Sequence, residues 1–245
     1  MKASLDGIRE KIKRAKEHIR NLDAEITTYL DGADHAVTFT TEFDPGKGDY
    51  RRNAVVSGSA FPERFSIISG EVVHHLRSCL DHLVWQLVLA HDKEAPGDWL
   101  EFPIFWDREK YPAGARSKIK GISPEAADLI ERLQPYHAVG AEKDHPLLVL
   151  HDLDVIDKHR LLILVGGELN IFGGQTVLTS ELNKKIVFQL TRTRTAHPDA
   201  DYQISFDIAF DKLGTRRGEP VIPSLQQLTN FLSGVIDSFE SEFKV

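Results

Sequence analysis

Apolar residues recur along the first thirty positions with alternating three- and four-residue spacing: Leu5, Ile8, Ile12, Ala15, Ile19, Leu22, Ile26 and Tyr29. Such an alternation keeps one stripe of a helix in lengthwise contact with another helix, of the same chain or of a second copy. Ser4 is the expected N-cap, and Asp31-Gly32 ends the helix. The period then drops to two. Val37, Phe39, Thr41 and Phe43 alternate with polar residues, Asp44-Pro-Gly-Lys-Gly reads as a turn, and Arg52–Ala60 returns, which predicts a hairpin between two helices. Phe61-Pro62 opens a long helix reaching about Ala90, with Phe65, Ile68, Val72, Leu76, Leu80, Leu83 and Leu87 as its core stripe. Its last third is apolar on most sides, which predicts a place at the centre of a bundle.

From His91 to Ile122 no period is sustained, and prolines and glycines are frequent. This segment reads as a long ordered loop anchored by Trp99, Phe102, Phe105 and Trp106. Loops of that length are often functional, and Trp99, Trp106 and Tyr111 are also candidates for stacking a base. Ser123-Pro-Glu starts a helix that stops before Pro135, and Pro146 starts another running to about Lys158. Leu161–Val165 reads as a buried strand. Ile186, Phe188 and Leu190 alternate, as do Ile204, Phe206, Ile208 and Phe210, giving two more strands with one wet face. Pro223 opens a last helix with the seam Leu225, Leu228, Leu232, Val235, Phe239 and Phe243, suited to pairing with the first. The expected fold class is α+β: a bundle of about five helices carrying an antiparallel sheet of about five strands. It is expected to form a single domain over residues 1–245, with the helical core at about 1–30, 62–158 and 222–243 and the β portion at about 36–60 and 160–212.

The chain has 245 residues, 41% hydrophobic and 27% charged, which suits a globular domain and not a disordered or low-complexity one. No apolar run approaches a membrane span, and the basic N-terminal stretch has no apolar core of the signal-peptide kind. The single cysteine, Cys79, excludes an internal disulfide framework and a cysteine-based zinc site, and is expected to be a small buried hydrophobe. A cytoplasmic protein is the expectation. The net charge of -7 counts against tight binding to duplex nucleic acid. Residues 1–20 nevertheless carry seven cations against Asp6, Glu10 and Glu17. That excess is either a solvated helix face or an attraction for phosphate or an acidic partner. Neither a glycine-rich phosphate loop nor a Gly-x-Ser-x-Gly elbow occurs.

Two tracts concentrate chemically capable residues: Glu71-Val-Val-His-His-Leu-Arg-Ser-Cys-Leu-Asp-His82 and His151-Asp-Leu-Asp-Val-Ile-Asp-Lys-His-Arg160. At about 100° per residue, Glu71, His75, Ser78 and His82 share one helical stripe, opposite the core stripe. Arg77 lies well away from His82 but beside Asp81 at i+4, where a salt bridge is natural. Three readings compete. Arg77–Asp81 and Glu71–His75 are local structural pairs on a polar face. Alternatively, Glu71-x-x-His74, with His151-x-x-Asp154 as the nearest second half, is a metal site of the carboxylate-bundle kind. Third, the tract is ribonucleolytic.

The third reading rests on a resemblance. Arg77-Ser-Cys-Leu-Asp-His82 has the form Arg, four residues, His, and resembles the signature of HEPN domains, helical modules that often dimerise and cut RNA without metal. The resemblance implies His82 as acid–base group and Arg77 as phosphate brace. An imidazole with pKa about 6.5 can move the 2′-hydroxyl proton, and a guanidinium fork can hold the phosphate. The mid-chain segments Leu76-Arg-Ser-Cys-Leu-Asp-His-Leu-Val-Trp85, Phe102-Pro-Ile104, Leu133-Gln-Pro-Tyr136 and Ile156-Asp-Lys-His-Arg160 are also similar to an uncharacterised bacterial family, a resemblance that brings no assigned activity.

In the second tract, Lys158, His159 and Arg160 close a helix, where cations complement the terminal carbonyls. Together with Asp157 they otherwise form an anion site at an element junction. The leading expectation is recognition of a phosphate-bearing ligand or RNA, with Arg77 and His82 catalytic and Asp157, Lys158, His159, Arg160, His75 and Glu71 in ligand binding. Neither a cofactor nor a metal is expected. RNA or a nucleotide is the expected partner, with a homodimer formed through the long helices and no membrane. The alternatives are a non-catalytic binding or assembly protein and a metal-dependent enzyme built on Glu71, His74 and His151.

Overall fold

The structure, a computed structural model, describes the backbone of residues 3–32, 36–44, 49–57, 61–91, 99–162, 164–166, 175–182, 185–191, 208–216 and 218–243. It describes the side chains of 3–32, 61–91, 99–162, 164, 208–216 and 218–243. The first helix, α1 (Asp6–Asp31), buries Ile8, Ile12, Ala15, Ile19, Leu22 and Ile26, the seam read from the sequence. Its N-cap position is Leu5, one residue later than expected. Ser4 still contributes, because its Oγ accepts the Asp6 backbone N–H at 3.0 Å. The hairpin β1 (Ala36–Asp44) and β2 (Asp49–Ser57) follows, with Ala36 opposite Ser57 and Asp44 opposite Asp49. The turn expected between them lies largely outside the described residues.

Helix α2 (Glu63–His91) runs through the centre: Val72, Leu76, Leu80 and Leu83 are fully buried. It contacts α1 and also the later helices α5 (Pro146–His159) and α6 (Val221–Ser238). Helix α6 in turn lies against α1, so the heptad seams of the first and last helices are used within the chain. A second copy is not needed to bury them. Burying a leucine or isoleucine in this way contributes roughly 1.5–3 kcal/mol relative to exposure.

The segment expected as a continuous loop contains helix α3 (Tyr111–Lys118), which begins with Pro112 in its first turn. Its signal was short: only Tyr111 and Ala115 are buried, and Gly114 interrupts the pattern. Gly114 is there because the Phe105 ring occupies the space a Cβ would need. Phe102 is fully buried, as expected of an anchor, but Trp99 and Trp106 are 89% and 58% exposed and anchor nothing. Helix α4 (Pro124–Arg132) starts at the expected cap, the Ser123 Oγ accepting the Ala126 N–H at 3.0 Å.

The expected α+β architecture, a single sheet of about five strands on five helices, is corrected. The described residues are predominantly helical, with six α-helices, and the strands divide between two sheets. Beyond α5, β3 (Leu164–Gly166) starts later than the Leu161–Val165 strand read from the sequence. The strands β4 (Gln175–Leu182) and β5 (Lys185–Thr191) form a second hairpin, and β5 pairs antiparallel with β2, giving the order β1-β2-β5-β4. The other sheet is β3 with β6 (Ile208–Phe210) and β7 (Glu219–Pro220), in the order β3-β6-β7. The β3–β6 ladder closes the base of the excursion that carries β4 and β5. Strand β6 has no wet face: Ile208, Ala209 and Phe210 are all at most 1% exposed, since this central strand is paired on both sides and packs against α6. Ile204 and Phe206 lie outside the described residues. For β6 the expectation of one wet face failed because alternation reports amphipathic strands only where a single layer covers the sheet; the side chains of Ile186, Phe188 and Leu190 lie outside the described residues. Among the described residues, no helix is long and apolar enough to cross a membrane.

Candidate functional site

Helix α2 carries two polar stripes, and each meets a different neighbour. The first runs through Gly70, His74, Arg77 and Asp81 and faces α5 and the segment 101–105. At Gly70 the helices approach so closely that a Cβ would overlap the Asp157 carboxylate. One turn on, His74 Nδ1 lies 3.6 Å from the buried Asp154 carboxylate, whose other oxygen receives Lys158 Nζ at 2.6 Å. Next comes Arg77, with its side chain only 6% exposed. Its Nη1 donates to Asp81 Oδ1, and its Nη2 donates to Glu101 Oε1 at 2.9 Å and to the Phe102 carbonyl at 3.3 Å. Asp81 Oδ1 also accepts the Phe102 N–H at 2.9 Å, and Glu101 Oε2 accepts from Lys118 Nζ at 2.8 Å.

This network ties the start of the long segment to α2. Gln134, fully buried after α4, ties its continuation: Nε2 donates to the Pro103 and Ile130 carbonyls at 2.9 Å each, and Oε1 accepts the Phe105 N–H at 2.9 Å. Leu133–Tyr136 is thus joined through Gln134 to Pro103 and Phe105, while Phe102 is held by Arg77 and Asp81 of α2.

The charges follow this packing. Burial alone would raise the Glu101 carboxyl, but the Lys118 hydrogen bond and the charges of Lys118 and Arg77 outweigh it and hold the group below its usual value. His151 is pushed down by burial and by Arg77. Asp157 is pushed up by burial and by the neighbouring Asp154 charge, with Glu71 adding to the rise and His74 opposing it.

The second stripe is Glu71, His75, Ser78 and His82, the set aligned by helix arithmetic, and it faces α1. The His75 ring stacks on His18, with centroids 5.6 Å apart and planes 19° from parallel. Glu71 does not pair with His75 as expected; its Oε2 lies 3.8 Å from His18 Nδ1. Lys11 Nζ donates to Ser78 Oγ at 3.2 Å, and Ser78 Oγ donates to the His75 carbonyl at 3.0 Å. The His75 Nδ1 is buried without a hydrogen-bond partner. Burial, then the nearby Lys11 and His18, hold His75 below its ordinary value. His82 is exposed and held down by partial burial and by Lys11. Cys79 is fully buried, its Sγ 3.7 Å from the Ile8 carbonyl, and burial pushes the thiol up to about 12.

The two sequence tracts are therefore brought together, but not in the arrangement expected for cleavage. Arg77 turns inward to Asp81 and Glu101, while His82 looks outward from the other stripe. Asp157 turns to Gly70 on α2, and Lys158 is committed to Asp154; neither joins His159 and Arg160, which are exposed at the end of α5. Of the residues considered for metal, His74 approaches Asp154 and not Glu71. The described residues contain no group of three or more His, Cys, Asp or Glu able to hold a metal ion. Glu101, Lys118 and His18 were not singled out from sequence. Their only signal was ionisable character, and their ion-pair partners lie 17 to 53 residues away. No protein-family model matches the chain, and no curated protein is significantly similar to it.

Proposed function

We propose that this protein acts by binding, without catalysing a reaction, and that the Arg77 tract is a structural clamp for the 101–105 segment. The observation that carries the reading is the closure around Arg77. Two carboxylates neutralise its charge, and a backbone carbonyl takes a further donor. An arginine that braces a scissile phosphate must offer its fork to that phosphate. Freeing Arg77 would break both ion pairs and strand Asp81, which also holds the Phe102 N–H. His82 is exposed, yet it lacks that brace on its own stripe.

The competing reading is the metal-independent ribonuclease with Arg77 and His82 as its pair. End-labelled RNA incubated with purified protein, with and without EDTA, separates the two. The expected result is intact RNA with wild type and with His82→Ala, beside a loss of thermal stability in Arg77→Ala. EDTA-resistant cutting by wild type that disappears in both variants would overturn the proposal.

A further inference from the structure

We infer that the groove between α1 and α6 binds the phosphodiester backbone of a single-stranded nucleic acid, a ligand assignment that rests on the non-catalytic binding reading above. The exposed edge of α1 carries Arg9, Lys13, Lys16 and Arg20 at i, i+4, i+7 and i+11, and all four line one cleft of about 360 Å³ against α6. With a rise of 1.5 Å per residue, the row extends about 16 Å along the helix. Asp237 is the one carboxylate in the lining. In a chain of net charge -7, four cations along one cleft are a marked local reversal.

The opposing acids hold these cations weakly. Arg9 reaches Asp237 at 3.4 Å and Glu240 at 3.2 Å, and Lys13 reaches Glu10 at 3.4 Å, all between well-exposed side chains. Exposed, solvent-screened pairs of this kind contribute little, so a polyanion can compete for the cations. Lys16 and Arg20 make no ion pair among the described residues.

The shape of the site selects the ligand. A single phosphate would need donors converging on one point, and these four are spread in a row. The apolar floor, Ile12 and Ile236, is 6% and 1% exposed, so little apolar surface is offered to a protein partner, whose interface core would need it. A flat anionic membrane fits a concave cleft poorly. A ligand held through evenly spaced charges along an extended chain remains, which is the binding mode of a nucleic-acid backbone in a basic groove. No aromatic residue lines the cleft, so binding is expected to be insensitive to base sequence.

The test is fluorescence anisotropy of a labelled single-stranded RNA of mixed sequence, titrated with the full chain in EDTA over a series of salt concentrations. The RNA is recovered afterwards and sized. Lys13→Glu/Lys16→Glu should weaken binding about tenfold or more at low salt and reduce the salt slope by about 1.4, at 0.7 per lost cation. Asp237→Asn should tighten binding, and it guards against a variant that merely misfolds. Absence of binding by folded wild type at low salt overturns the inference. So does binding that both variants leave unchanged, or a polyglutamate peptide that competes as well as RNA. Cut RNA recovered from the wild-type titration would instead sink the non-catalytic reading, while the variant affinities would still judge the groove.

Discussion

The two polar stripes of α2 contain the same kinds of residue and end in different states. On the α5 side, Arg77 is sealed between Asp81 and Glu101, and the buried Asp154 is met by Lys158. On the α1 side, His75 and His18 stack, and one buried ring nitrogen has no hydrogen-bond partner. A guanidinium brings five donors and a permanent charge, so burying it demands acceptors from several elements, and here it organises the long segment around itself. An imidazole can be buried neutral with part of its polarity unmet, at the cost of a lowered proton affinity. Polar residue types on a helix therefore do not announce a reactive site. Their partners decide, and most of those partners lie far along the chain.

The largest loss of stability is expected of Arg77→Ala. A charge pair broken from one side typically costs about 3–5 kcal/mol when buried. The carboxylates here are 36% and 41% exposed and can regain water, so the expected loss is about 2–3 kcal/mol by denaturant titration. Arg77→Lys should recover only part of it, since one ammonium cannot reproduce the fork. A loss under about 0.5 kcal/mol, the range of an ordinary surface change, would mean that the clamp is decorative. Gln134→Ala probes the other end of the same segment. It strands the Phe105 N–H and weakens the Pro103 carbonyl's bonding, for an expected loss of about 2 kcal/mol.

Gly70 sharpens the contrast more gently. Gly70→Ala gains helix propensity, about 1 kcal/mol, but drives a methyl group into the Asp157 carboxylate. The expected result is a net loss of about 1 kcal/mol in the wild-type background. In an Asp157→Ala background the clash is gone, so the same change should stabilise. Equal effects in both backgrounds would show that α5 simply gives way.

Sequence patterning captured the parts of this molecule that are local. The α1 seam, the central α2 stripe, the Ser123 cap and the Arg77–Asp81 spacing all follow from periodicity or from neighbours within four residues. The single five-stranded sheet did not survive. Strand periodicity does not say which hairpins pair, and β2 finds β5 more than a hundred residues away. Helix α3 was hidden because a helix with two buried positions and a glycine leaves almost no period. Trp99 and Trp106 were misplaced by the rule that large aromatics anchor loops, a task that falls instead to Phe102 and to the hydrogen bonds of Arg77 and Gln134. The candidate site was legible as a list of residues but not as an arrangement, since Glu101 and Lys118 had no feature that tied them to Arg77.

The smallest expected effect is also the one that reads the α1-facing stripe directly. A histidine whose folded value is depressed takes up its proton more readily in the unfolded chain, so acid favours unfolding. His75, His82, His145 and His151 all shift this way, burial being the main cause in each. The stability they confer is intact above about 6.5 and is lost as the pH falls from there through their folded values. The Asp152 and Asp157 carboxyls are raised by partial desolvation and act in the opposite sense. What they contribute is complete below 3.8 and disappears as the pH rises through their folded values. Thermal melts between pH 7.5 and 5.5 should therefore show a falling Tm, governed by the histidines. His75→Phe keeps a ring against His18 and removes the titrating nitrogen, so its melts should depend less on pH over that interval. Asp157→Asn should leave the slope there nearly unchanged. If His75→Phe melts with the wild-type pH slope, the orphaned nitrogen has found water or a bond in solution, and the two stripes differ less than their geometry suggests.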